Sequence, residues 1–336
     1  MSTAHTADLA IVGAGPVGLF GAYYAGVRGM STVLVDSLEQ PGGQVTAMYP
    51  EKAIYDVAGF PAVKGRDLVD RLLAQTAPFQ PTFVLGEQAT ELSRTDDGFV
   101  LATGAGRELR CRAVLITGGA GTFTPRPLPV GNEYHGRGLA YFVPDPTQYA
   151  GRDAVVVGGG DSAVDWVLML EPIASSITIV HRRAEFRAHE HSVKQMRATR
   201  ARVITDAQIS AVRGDPHVAE VEVTIKGQES ERLPCDRLVT ALGFTADLGP
   251  LLKWGLVLDK RSIVTDSAGA TNIPGVYAAG DIVEYPGKVK LIATGFGEAA
   301  TAVNNAFVHL NPNRSLFPGH LSEHPPEQVV AAAAST

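Results

Sequence analysis

The sequence predicts an α/β fold: two Rossmann-like dinucleotide-binding domains of the three-layer ββα kind, one inserted into the other. Three observations lead there. A glycine-rich turn joining an apolar strand to a helix occurs twice. The strand that follows each turn ends in residues of opposite charge in the two copies. Pro/Gly-rich joins, "TPRPLPVGNE" and "GFTADLGP", bracket the second copy. At 336 residues the chain is too long for one small core. Its 45% hydrophobic and 19% charged content is that of a globular protein. Many of its 36 glycines cluster beside apolar runs, which suggests backbone brought close to a ligand.

The first copy is "DLAIVGAGPVGLFGAYYAGVRGMSTVLVDS". An apolar strand over 9–12 leads into Gly13, Gly15 and Gly18, a helix follows to about residue 28, and a second strand over 32–35 ends at Asp36. The first glycine permits the tight turn, the second lets backbone reach a pyrophosphate, and the third lets helix and strand pack closely. The helix N-terminus offers N–H groups and a favourable dipole to phosphate. Asp36 is positioned to accept both ribose hydroxyls, which suits the adenosine of FAD.

The second copy is "DAVVVGGGDSAVDWVLMLEPIASSITIVHRR". A strand over 154–157 leads into Gly158, Gly160 and Ala163, a helix covers about 162–170, and a strand from 177 runs into His181, Arg182 and Arg183. The interval from Gly158 to His181 equals that from Gly13 to Asp36. Where the first copy has an acid, the second begins a basic run. A carboxylate would repel a 2′-phosphate, whereas planar guanidinium groups grip one. The second site therefore suits NADPH.

Other readings are exclusions. A net charge of −6 argues against general nucleic-acid affinity. No apolar run reaches membrane-spanning length and no signal peptide opens the chain, so a cytoplasmic protein is expected. The two cysteines, Cys111 and Cys235, are far apart in sequence and are expected to be buried thiols, not a disulfide framework or zinc site. His189, Glu190 and His191 point in different directions on a helix, and no metal site is expected.

With these motifs in place, the chain resembles the thioredoxin reductase-like flavoproteins over nearly its whole length. "VVGGGDSAV", "HRRAEFRA" and "AAGD" carry the likeness. Thioredoxin reductases have a C-x-x-C pair in the NADPH domain; here Phe142 and Asp145 stand at those positions. "GGQVTAMYPEKAIYDVAGFP", "HRRAEFRAHEHSV" and "LFPGHLSEHPPE" are similar to the branch lacking that pair, the ferredoxin/flavodoxin–NADP+ reductases. The resemblance implies an FAD domain over 1–123 and 246–336, with an NADPH domain over 124–245. It implies that Gln44 and Tyr49 lie along the flavin, that backbone near Thr90 holds adenine, and that Phe123 and Asp281 line the cofactor. A helix starting near Gly297 would point its N-terminus at the flavin. His320 and Ser322 would come from a C-terminal tail that covers the flavin of the neighbouring subunit in a homodimer; that tail is too polar to have much reason to pack on its own domain.

The activity so implied is hydride transfer between NADPH and FAD, then single-electron exchange with ferredoxin or flavodoxin. The cofactor carries this chemistry, so no general acid or base is named. An acidic carrier would dock on a local basic patch, of which Arg182, Arg183, Arg187, Lys194, Arg197, Arg200 and Arg202 form the densest. Three rivals are an NADPH oxidase or quinone-type reductase, a non-enzymatic flavin redox sensor, and a dithiol reductase, which the missing C-x-x-C disfavours.

Overall fold

Alternation along the apolar strands decides the layering. In the strand Thr32–Asp36, Leu34 faces one core while Val33 and Val35 face another; in Glu108–Ile116, Ala113 and Leu115 alternate with Val114 and Ile116 in the same way. A sheet buried on both faces needs a layer on each side. The computed structural model describes residues 5–143, 145–323 and 327, without the side chains of 5, 122–124 and 246. It divides into two units: residues up to 122 with those from 246 onward, and residues 123–245.

The first unit is built on a seven-stranded sheet. Its order is Thr82–Leu85, Thr32–Asp36, His5–Val12, Glu108–Ile116, Gly98–Thr103 and Ala89–Thr95. The first four strands pair in parallel and the last two turn back antiparallel. Val276–Ala278 adds a parallel partner along the end of Glu108–Ile116. On one face pack helices α1 (Pro16–Val27), α2 (Gly43–Met48) and α3 (Gly65–Thr76), together with a long C-terminal helix (Ile292–Leu310). α1 buries Gly18, Leu19, Gly21, Ala22 and Ala25. Such small residues let it lie almost on the sheet; a Cβ on Gly21 would stand 2.9 Å from Leu115. Fully buried Leu9, Ile11, Leu19 and Leu34 anchor this core, each worth about 1.5–3 kcal/mol against exposure.

The second unit repeats the plan. Its five-stranded sheet runs Leu139–Ala140, Arg237–Ala241, Asp153–Gly158, Ser176–Val180, Arg202–Ile204, all parallel. Helices α4 (Asp161–Leu170) and α5 (Glu190–Arg197) cover one face. A three-stranded antiparallel sheet, Ala207–Arg213, Glu220–Ile225 and Glu231–Pro234, covers the other. Both units are thus three-layer ββα structures: the second has an all-parallel central sheet, and the first a mixed one, parallel through its centre, whose other face is covered by the small sheet Leu258–Asp259, Ser262–Val264 and Val283–Glu284. Among the described residues, no helix is long and apolar enough to cross a membrane.

The long C-terminal helix, α6, begins at Ile292 and not near Gly297. Glycine interrupts a helix only weakly, by about 1 kcal/mol against alanine. Here Gly295 is required by packing, since its Cβ would sit 2.5 Å from Val17.

Candidate functional site

Both turns lie at the carboxyl ends of their parallel strands, where α/β sheets bind ligands. In the first, Gly13 has φ +109°, and a Cβ there would meet the Thr117 carbonyl oxygen at 2.6 Å. A Cβ on Gly18 would fall 1.9 Å from the Gly13 carbonyl oxygen. These two glycines are demanded by the fold itself. Gly15 differs: its nearest neighbour would be the Gly43 Cα at 3.9 Å, leaving room for a group to approach the backbone. α1 starts beyond it with Pro16 and carries no side-chain cap, so its first N–H groups face outward unclaimed by a cap. The donor set suits a pyrophosphate.

Asp36 is tied to this turn. Its Oδ2 accepts the Ala14 N–H at 2.7 Å and its Oδ1 the Leu38 N–H at 2.9 Å. Burial raises its pKa, against the lowering effect of those hydrogen bonds. Gly42 donates its N–H to the Ala14 carbonyl at 2.8 Å, which brings α2 to the same turn. Gln44, on α2, lies over Gly119, where a Cβ would stand 2.8 Å from Nε2. Tyr49 ends α2 half-buried; burial, then the charges of Asp281 and Asp56, raise its pKa, so Tyr49 and Asp281 are neighbours. Gly13, Gly15, Gly18, Asp36, Gln44, Tyr49 and Asp281 therefore gather on one side of the first unit.

Thr90 sits at a bulge of the strand Ala89–Thr95, and its carbonyl is engaged by Trp254 Nε1 at 3.1 Å. Phe123 lies in the strand Thr122–Pro125, with its side chain outside the described residues. His320 and Ser322 are exposed, and the His320 ring stands edge-on to Phe317 at 5.3 Å. The expectation that the tail has little reason to pack on its own domain fails at its root. Arg28, which closes α1 and lies 3.9 Å over the Phe307 ring, donates to the Ser315 and Leu316 carbonyls at 2.7 and 3.1 Å. Carbonyls need only a donor, and a guanidinium supplies several.

One group escapes sequence reasoning. Glu298 on α6 accepts the Gly280 N–H at 2.7 Å and the Tyr285 hydroxyl at 2.5 Å, and it pairs with Lys288. The Lys288 side chain is 1% exposed. This buried cluster fixes the Gly280–Asp281 turn to the helix. Its signal was an acid placed among the apolar and small residues of α6.

In the second turn, a Cβ on Gly158 would stand 2.5 Å from the Ala241 carbonyl oxygen and 2.9 Å from Ala163, so both positions must be small. Gly160, like Gly15, faces open space, and α4 also starts without a side-chain cap. A Cβ on Gly159 would lie 2.1 Å from the His181 ring. His181 is buried, stacks on Phe186 at 5.1 Å and donates from Nε2 to the Glu185 carbonyl at 3.0 Å. Burial lowers its pKa, and Arg182, Arg183 and Arg187 lower it further, while the Glu185 bond opposes them. The strand thus ends in a neutral imidazole, and cations begin only at exposed Arg182 and Arg183. Arg187 N–H closes back onto the Gly159 carbonyl at 2.7 Å.

Farther along the basic run, Arg200 is occupied by Glu171 and the carbonyls of Ala174 and Ser175, and Arg202 by Glu231. Phe142 stacks flat on Phe244 at 5.2 Å; Asp145 caps a short 3-10 turn through the Thr147 N–H at 3.0 Å. Cys111 and Cys235 are buried in different units, and burial pushes both thiols up to about 12.

The family described as pyridine nucleotide-disulphide oxidoreductase matches residues 7–306. The ferredoxin–NADP reductase of Salinispora tropica is 58% identical over 319 residues, covering 95% of this chain and 99% of that one. That of Saccharopolyspora erythraea is 57% identical over 318 residues, covering 94% and 97%. Among solved structures, the thioredoxin reductase of T. acidophilum superposes with a TM-score of 0.75 at 26% identity, covering 91% of this chain and 99% of that one.

Proposed function

The chain belongs to the pyridine nucleotide-disulphide oxidoreductase family, and from that premise we propose that it is an FAD-dependent ferredoxin–NADP+ reductase. Hydride passes between NADPH and FAD, and single electrons pass to or from ferredoxin or flavodoxin. The observation that carries the reading is the pair of matched turns closed by opposite charges, Asp36 in one and Arg182–Arg183 in the other.

The residues fit the two dinucleotides. Gly15 and the uncapped start of α1 receive the FAD pyrophosphate, and Asp36 has lone pairs left for ribose hydroxyls. Gln44, Tyr49, Thr90, Phe123 and Asp281 line that cofactor, with the Glu298 cluster holding Asp281 in place. Gly160 and the start of α4 receive the NADPH pyrophosphate, Ala163 keeps the helix close, and Arg182 and Arg183 take the 2′-phosphate. Bound FAD supplies what no side chain here can: acceptance of a hydride and release of electrons one at a time. A dithiol route has no residues to run on, since the two thiols are buried, in different units and far too basic to ionise near neutrality.

Residues 124–245 form the NADPH domain and the flanking segments the FAD domain. The chain works as a homodimer in which His320 and Ser322 reach the partner's flavin. With Arg200 and Arg202 committed internally, an acidic carrier is left with Arg182, Arg183, Arg187, Lys194 and Arg197. The deciding experiment compares NADPH consumption with ferredoxin, flavodoxin, quinone and oxygen as acceptors. Turnover should be fastest with a protein carrier; faster turnover with quinone or oxygen overturns the assignment.

A further inference from the structure

Asp161 is the first residue of α4, beside Gly160. A carboxylate at that place faces the position of an anionic pyrophosphate, so charge complementarity alone does not account for it. Its hydrogen bonding does. Asp161 Oδ1 accepts the backbone N–H of His189 at 2.8 Å, across the turn. His189 is the N-cap of α5, and its Nδ1 accepts the His191 N–H at 3.3 Å. The carboxylate therefore lies between the N-termini of two helices, where both dipoles favour it.

The bond completes a frame around the basic loop. At the loop's start, the His181 carbonyl accepts the Ala207 N–H at 3.0 Å, and the His181 ring fills the space against Gly159. In the middle, the Arg187 N–H reaches the Gly159 carbonyl at 2.7 Å. At the end, His189 is held by Asp161. Between these anchors Arg182, Arg183 and Arg187 stand exposed. A loop fastened at both ends has its backbone entropy removed during folding and not at the moment of binding.

Resting on the NADPH reading above, we infer that Asp161 is a positioning residue for the 2′-phosphate loop. It sets the preference for a phosphorylated ribose without touching it. The role is that of a hydrogen-bond acceptor, so Asp161→Asn, which keeps an oxygen there, retains it, and Asp161→Ala does not.

The test titrates the FAD-loaded protein with 2′,5′-ADP and with 5′-AMP, two fragments differing by the 2′-phosphate. Asp161→Ala should weaken 2′,5′-ADP about five- to tenfold, the worth of one ordinary hydrogen bond, and leave 5′-AMP within about twofold. Asp161→Asn should stay within about twofold of the parent for both. His189→Pro removes the backbone donor, together with the side-chain cap on the His191 N–H, at a residue whose φ of −56° suits proline. In that background Asp161→Ala should cause no further loss. Equal weakening of both fragments, no weakening, or an Asp161→Asn variant as poor as Asp161→Ala overturns the inference. The Arg182→Ala/Arg183→Ala variant separates the two levels: if it binds 2′,5′-ADP as tightly as the parent, the NADPH reading itself falls and the inference falls with it.

Discussion

The two glycine turns share one backbone solution and differ in what closes it. In the first, the strand ends in a carboxylate that accepts an N–H of the turn, so the acid is part of the turn's own bonding. In the second, the strand ends in a neutral imidazole packed where Gly159 has no side chain, and the charges lie outside on a loop laced back to the turn. Ligand choice is thus set after the shared part ends. The acid is placed by a hydrogen bond to the backbone, the arginines by a loop that must itself be held.

The largest expected effect falls on the first unit alone. Glu298→Ala leaves the Lys288 ammonium buried without its partner and should cost about 3–5 kcal/mol of stability, with FAD loss, as read by urea unfolding and flavin absorbance. Affinity for 2′,5′-ADP should stay as it was; a parallel drop would show that the two sites are not independent. Pairing Lys288→Met with Glu298→Leu should recover most of the stability, because no charge is then stranded.

Within each turn, the glycines should separate into structural and ligand-facing ones. Gly18→Ala and Gly159→Ala collide with backbone and with a buried ring, and each should lower stability by more than about 2 kcal/mol even without ligand. Gly15→Ala meets only the Gly43 Cα, at an ordinary 3.9 Å, and Gly160→Ala meets nothing within 4 Å, so both should leave the unliganded melting temperature almost unchanged while weakening FAD and NADPH respectively. Matching losses in all four variants would erase the distinction between the positions.

Replacing Arg182 and Arg183 with Ala should raise KM for NADPH at least tenfold and leave NADH little affected, since each charge-assisted contact is worth about 1.5–3 kcal/mol. Steady-state kinetics with both nucleotides measures this. Equal losses would make the arginines structural.

The smallest effect is a difference in sign. The Asp36 pKa is raised above its ordinary 3.8, so the folded state holds that proton more readily than the unfolded chain. Its contribution favours folding at low pH and is lost as pH rises through the raised value. The His181 pKa is lowered below 6.5, so the folded state refuses a proton that the unfolded chain accepts. Its contribution is present above 6.5 and is lost as pH falls through the lowered value. Comparing the stability of Asp36→Asn and His181→Phe with the parent across acid pH should show slopes changed in opposite directions; slopes changed in the same direction would contradict the environments assigned to the two residues.

What was legible in the sequence follows the range over which each determinant acts. Gly13, Gly15, Gly18 and their counterparts Gly158, Gly160 and Ala163 obey local steric rules, so both turns and their helices were readable. The start of α6 was not, because Gly295 and Gly297 look like a break until Val17 is seen pressed against the helix. The Glu298 cluster joins residues from three separate places, and no periodicity announces such a meeting. The charge state of His181 was misread from the company of its arginines; burial and those same arginines hold it neutral. The anchoring of the tail root depends on Arg28, remote in sequence from Ser315 and Leu316.

The contact between Gly159 and His181 also constrains how this chain can change over time. The ring occupies the space a side chain at 159 would need, so either position can vary freely only once the other has moved. A lineage drifting toward an unphosphorylated nucleotide cannot simply exchange the basic run for an acid. A short carboxylate at 181 would leave a void beneath the turn and expose Phe186 to it. The viable route passes first through a compensating change at 159 or 186, and the order of substitutions matters as much as their identity.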